Sequence, residues 1–216
     1  MLDEFYNYVS NYDMSLDGIK RKYEHSIRVM NLSIKYARLL NYSEDDIELA
    51  GIVGLLHDIG RFYQYSKYKS FNDYDLIKFA IKNHNKLDIE KTKNKRYLKF
   101  AKLIRDVDKL DIVYLTGYLG EYRCVANGDY ISDKIMNCFI RKKSINRKDI
   151  LNNNDNLAVS FAFVFDINND IILKEFRQNI YYFYKRIGGI NIFRDIYNCV
   201  IRYIEERTDG YVREEI

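Results

Sequence analysis

Apolar residues recur at helical spacing through almost every segment of the chain. Leu2, Phe5, Tyr6 and Val9 share one face and predict a short helix over 2–12, followed by a turn at 13–17. From about Lys20 to Leu40, His25, Val29, Leu32, Tyr36 and Leu39 form one stripe at i, i+4, i+7, i+11 and i+14, the mark of a long helix. Ser43 suits the next N-cap, and Glu44, Asp45 and Asp46 suit the positive end of the helix dipole behind it. The helix expected over 44–57 buries Ile47, Ala50, Gly54 and His57. Gly51 and Gly54 inside it cost about 1 kcal/mol each relative to alanine, so they predict the close approach of another helix backbone.

Residues 61–73 are polar and aromatic and predict a loop or broken helix. A helix over 74–84 gathers Ile77, Ala80, Ile81 and His84, and the pattern resumes over 95–120 with Tyr97, Ala101, Ile104 and Asp108 on one stripe. There an aspartate takes a slot that periodicity assigns to the core. Further on, a helix is expected over 130–142, an Asn- and Lys-rich connection over 143–156, and two or three helices over 157–187 and 190–207, with Gly188-Gly189 as a break. Their apolar positions include Phe161, Phe165, Ile172, Phe176, Ile180, Phe183, Ile187, Ile192, Ile196, Val200 and Ile204. Proline is absent, so nothing interrupts the helical hydrogen-bond ladder. With no repeat and no clear linker, the expectation is one all-α domain over 1–216, compact, with about 8–11 helices.

Composition narrows this picture. Hydrophobic residues make up 47% of 216, enough for a sizeable core and too many for a disordered chain. A net charge of +4 permits anionic ligands without demanding nucleic acid, which is not an expected partner. Cys124, Cys138 and Cys199 are odd in number and form no CxxC, which argues against a disulfide framework or a thiolate zinc site and for reduced, cytoplasmic thiols. The N-terminal segment does not read as a signal peptide, and no apolar run approaches membrane-spanning length, so no membrane partner is expected.

The candidate chemistry centres on the stretch from Gly51 to Arg61, where an apolar run ends in adjacent His57 and Asp58. The chain holds three histidines, His25, His57 and His84, and each closes or interrupts an apolar stripe. His25, His57, Asp58 and Asp108 are four candidate ligands whose imidazole nitrogens and carboxylate oxygens suit one borderline divalent metal: Mn, Fe, Co, Ni or Zn, with Mg less well matched. Such a mixed set leaves positions for water and a substrate oxygen, and the metal would activate that water. Basic groups lie beside the ligands: Arg28 after His25, Arg61 after the His-Asp pair, and Arg105 and Lys109 around Asp108. Cations around an open metal site suit an anionic substrate, most simply a phosphate ester.

The order His25-Ser-Ile-Arg28, Leu56-His57-Asp58-Ile-Gly-Arg61 and Arg105-Asp106-Val-Asp108-Lys109-Leu-Asp111 resembles the HD-domain metal-dependent phosphohydrolases. The resemblance covers about residues 20–115, and it implies an HD core over about 20–120 with the helices of 121–216 packed on it. It implies His25, His57, Asp58 and Asp108 as metal ligands and Lys109 as a contact to substrate phosphate. Asp106 competes with Asp108 for the last ligand position; Asp108 is preferred because it shares the Ala101–Ile104 stripe and directly precedes the lysine. Leu-His-Asp-Ile-Gly-Arg-Phe-Tyr-Gln-Tyr, Ser70-Phe-Asn-Asp and Asn83-His84-Asn85-Lys86 look like a bacterial subgroup of that family. Members carry a further helix with an Asp-His-Ala segment. Here only about ten residues separate Asn72-Asp73 from His84, which removes a candidate histidine and favours one metal over two.

The function expected is hydrolysis of a phosphate ester, with a nucleotide or a related small phosphorylated molecule as substrate. Asp58 would orient or deprotonate the attacking water. Lys109 and Arg61 would stabilise charge on the phosphoryl oxygens. His84 would line the pocket, bind a second metal or act on the leaving group, and Asn85, Arg28 and Arg105 are further substrate-binding candidates. The shortened 70–84 region motivates an alternative, a sensor that binds metal and nucleotide without turnover. A weaker alternative is RNA binding through the basic 134–148 segment, against which the modest net charge argues. The C-terminal helices could complete the pocket or form a homodimer interface.

Overall fold

The structure, a computed structural model, describes residues 1–59, 73–120, 126, 130–188 and 191–208. Among them are nine α-helices and no strand, in line with the all-α expectation. They are α1 (Leu2–Val9), α2 (Asp17–Leu39), α3 (Glu44–Leu56), α4 (Tyr74–Asn83), α5 (Lys95–Tyr114), α6 (Asp133–Ile140), α7 (Asn153–Ala162), α8 (Asp170–Arg186) and α9 (Asn191–Thr208). No helix of the described residues is long and apolar enough to cross a membrane. The chain forms two compact units: 1–84 with 91–104, and 85–90 with 105–216.

In the first unit, α2 packs along α3, and two glycines set how closely. A Cβ at Gly54 would lie 2.8 Å from the Met30 Cα and 2.9 Å from the Val29 carbonyl oxygen; one at Gly51 would meet the Ile34 side chain at 2.9 Å. The close approach predicted from these glycines is therefore present. It also widens the buried face of α2 beyond the expected stripe. Ser26, Met30, Ser33 and Ala37 are buried beside His25, Val29 and Tyr36, whereas Leu39 is exposed, because small side chains admit the neighbouring backbone where a leucine would not. Helix α3 is buried almost without interruption from Leu49 to Leu56, the behaviour of a helix that is apolar all round. Its N-terminus follows the expected rule: the Ser43 hydroxyl accepts from the Asp46 amide.

The second unit is built on phenylalanines. Phe161 lies against Phe183 and stacks on Phe193, with centroids 5.1 and 5.7 Å apart. Phe193, not the expected Ile192, supplies the buried position of α9, in register with Ile196, Val200 and Ile204. The helical pattern read over 157–187 is two helices, α7 and α8, interrupted at Phe163–Asp166 by a 3-10 turn. The connection read over 143–156 ends early, because Asn152 caps α7 by accepting from the Asp155 amide. At the end of α5 the helix widens into a π-helical turn, Leu115–Leu119, where Gly117 lies against the backbone of Asn179 and Phe183. Arg186 donates to the Gly117 carbonyl and satisfies that end.

Candidate metal centre

His57 occupies the C-cap position of α3 and His84 that of α4. Both bind back to their own helix in the same way: the His57 Nδ1 lies 2.7 Å from the Gly54 carbonyl, and the His84 Nδ1 lies 2.6 Å from the Ile81 carbonyl. A carbonyl oxygen can only accept, so Nδ1 carries a proton and each ring turns its Nε2 outward. A backbone partner on the other ring nitrogen is the usual arrangement behind a metal-binding histidine. His25, from α2, brings its own Nε2 to 3.1 Å from that of His57. The ring centroids of His25 and His57 are 5.0 Å apart, and those of His57 and His84 5.3 Å. All three rings are buried.

Two facing imidazole nitrogens repel unless a proton or a cation lies between them. Two nitrogens about 2.1 Å from one ion are about 3.0 Å apart at a right angle and about 3.4 Å apart at the tetrahedral angle. The observed 3.1 Å is the edge length of such a coordination shell. His25 and His57 are buried candidate ligands of the first unit, and Asp108 is a buried carboxylate of the second. Two imidazoles and a carboxylate are a donor set for a borderline divalent ion, so the residues present fit the metal that the sequence implied.

Asp58 is placed differently from the other candidate ligands. Its Oδ2 lies 3.0 Å from the Lys22 ammonium and its Oδ1 3.8 Å from the His84 Nε2. Lys22 stands one turn before His25 on α2 and belongs to no sequence motif. Arg28 lines a surface groove with Leu2, Asp3, Tyr6, Tyr23, Glu24 and Ile27, and Asn85 is exposed. Arg61, with Gln64 and Tyr65, lies outside the described residues.

In the second unit, three candidates from the Arg105–Lys109 stretch separate by role. Arg105 is 1% exposed and donates to the carbonyls of Lys86 and Leu87 at 2.6 and 3.1 Å and to Asp166 at 2.5 Å. The guanidinium is enclosed by the fold, with those carbonyls and Asp166 against it. Asp106 accepts from the backbone and side-chain amides of both Asn168 and Asn169, at 2.6 to 3.1 Å. Burial pushes its carboxyl up to about 6, against the pull of those hydrogen bonds. Asp106 therefore anchors the start of α8, which leaves Asp108 as the ligand candidate. Lys109 is buried and pairs with Asp166 at 2.8 Å. The basic 134–148 segment is partly neutralised: Lys134 pairs with Asp149 and Lys142 with Glu206.

The HD domain family model matches residues 23–113, from the middle of α2 to the end of α5. Over that segment, less than half of the chain, the sequence is similar to the HD domain. Comparison with curated proteins and with solved structures gave no match.

Proposed function

We propose that the protein is a metal-dependent phosphohydrolase acting on a nucleotide or a related small phosphorylated molecule. The observation that carries the reading is the His25–His57 pair, with its Nε2 atoms 3.1 Å apart inside a segment that matches the HD domain. His25, His57 and Asp108 would hold one divalent ion, with Asp58 as the additional carboxylate. A bound divalent ion would supply Lewis-acid polarisation of water and of a phosphoryl oxygen. Asp58 would take the proton of the attacking water, and His84, 3.8 Å from it, would exchange a proton with Asp58 or the leaving oxygen. Lys109, next in sequence to Asp108, would balance charge on the phosphoryl oxygens; Arg61 would add a second cation, with Arg28 and Asn85 at the rim.

The test is phosphate release from a panel of nucleotides and simple phosphate esters with Mn, Co, Ni or Mg, run beside elemental analysis of the purified protein. Release that disappears in His57→Ala together with the bound metal is the expected result. Full metal occupancy with no release from any ester would sink the hydrolase reading. A second reading, binding of a phosphorylated ligand without turnover, draws on the Lys22–Asp58 pair, which engages the carboxylate that hydrolysis requires as a base. A nucleotide bound tightly and recovered intact would favour it.

A further inference from the structure

The residue that follows the candidate ligand Asp108 is held by an acid from outside the family match. Asp166 ends the 3-10 turn between α7 and α8. Its Oδ2 receives both Lys109 Nζ at 2.8 Å and Arg105 Nη2 at 2.5 Å. The same segment continues into Asn168 and Asn169, which grip Asp106. A four-residue clasp, 166–169, thus holds α5 at Arg105, Asp106 and Lys109.

The two cations differ in what remains for them to do. Arg105 already serves two carbonyls besides Asp166. Lys109 has three ammonium donors, of which Asp166 takes one and the Arg105 carbonyl, at 3.4 Å, a second at most. The Phe163 ring lies 6.0 Å from the ammonium. A lysine side chain free of such partners samples many rotamers, and fixing it in advance removes that cost from the reaction.

We propose that Asp166 is a positioning residue for the phosphohydrolase reaction, holding the Lys109 ammonium in the orientation in which it meets the substrate phosphate. The proposal rests on the reading of Lys109 as the phosphate-facing cation.

The experiment is a double-mutant cycle on the full chain with Asp166→Asn, Lys109→Ala and the combined variant. The readouts are kcat and KM for the best ester of the panel, melting temperature, and the Lys109 ammonium signal by 15Nζ NMR. Asp166→Asn is expected to lower kcat at least about tenfold while KM moves by less than about twofold. Its 15Nζ signal at Lys109 broadens or disappears, and in the Lys109→Ala background the same substitution changes kcat by less than about twofold. A purely structural role through Arg105 predicts otherwise: a lower melting temperature, unchanged kcat per folded molecule, and the same effect with or without Lys109. That outcome overturns the proposal. Loss of turnover in Lys109→Ala with a silent Asp166→Asn overturns only the role of Asp166. An unaffected Lys109→Ala overturns the role of the lysine as well, and a wild type without turnover overturns the hydrolase reading and this inference with it.

Discussion

The two ends of α3 are both polar, both buried in part, and built for different ends. At the N-terminal end, Asp46 receives Lys99 at 2.6 Å and Arg96 at 2.9 Å, and Arg96 continues to Asp73 at 2.5 Å. The Lys99 ammonium also sits 3.7 Å above the Tyr42 ring. Opposite charges meet in pairs there, and the network ties α3 to α5 and to the start of α4. At the C-terminal end, one turn past Gly54, three imidazole rings and a carboxylate are gathered with one lysine. The first end resembles a fastening, since each acid faces bases. The second sets two imidazole nitrogens face to face at 3.1 Å, the spacing of two ligands on one ion. Buried polarity alone does not separate a site from a brace; the sign and direction of the groups do.

The largest effect that sharpens this comparison is on metal. His57→Ala removes one Nε2 of the 3.1 Å pair and should weaken divalent-metal binding at least about 100-fold, measured by titration calorimetry with Mn or Co. The fold should survive, because α3 keeps its apolar surface. Asp46→Asn, at the other end, should leave metal affinity within about twofold. If both substitutions weaken metal binding equally, the contrast between the ends is false.

Next in size is Gly54→Ala, which acts on the packing that brings the two histidine-bearing helices together. The new Cβ would meet the Ser33 Oγ at 2.6 Å and the backbone of Met30 and Val29 below 3.0 Å. Backbone cannot swing aside as a side chain can, so destabilisation of about 2 kcal/mol or more is expected in chemical denaturation, despite the better helix propensity of alanine. A neutral or stabilising result would show that α2 and α3 are less tightly fixed than these distances require.

Much of this was readable from spacing and residue type. Glycines inside an apolar helix announced the α2–α3 contact, and histidines ending apolar stripes announced the rings. What stayed hidden depends on partners distant in sequence. The pattern Phe161, Phe165, Ile172 runs on as if through one helix; the break at 163–169 exists because Asn168 and Asn169 turn to Asp106, 62 and 63 residues earlier. Asp106 and Asp108 stand two positions apart, about 200° around a helix, so they face opposite ways, and spacing alone does not say which way is the pocket. The partners of Arg105 were equally hidden: the Lys86 and Leu87 carbonyls that its guanidinium meets lie 19 and 18 residues earlier. Lys22 and Asp166 carried no motif at all.

A smaller effect, about 1 kcal/mol, is expected from Asp46→Asn, which breaks charge-assisted hydrogen bonds to partly exposed, solvent-screened partners at the N-terminal end. Burial by itself would raise the Asp46 carboxyl, but the bonds from Lys99 and Arg96 prevail and hold it below the usual carboxylate range. A carboxyl lowered in the folded state adds stability above its unfolded value of about 3.9, and that contribution is lost as the pH falls through the lower folded value. The gap between wild type and Asp46→Asn should therefore be full at pH 7 and close below about pH 4, in denaturation curves taken across that range. A gap independent of pH would assign the effect to packing instead of charge.

The smallest effect belongs to Ser43→Ala. The Ser43 hydroxyl accepts from the Asp46 amide at 3.3 Å, a long bond on an exposed cap. Its loss should cost about 0.5–1 kcal/mol, toward the lower end for an N-cap. The interest lies in what else changes. The cap sets the first turn on which Asp46 is carried, so Ser43→Ala and Asp46→Asn should be less than additive when combined, whereas Ser43→Ala and Gly54→Ala should add. Strict additivity of the first pair would mean that the cap and the ion network act independently and that the N-terminal end of α3 is not one fastening but two.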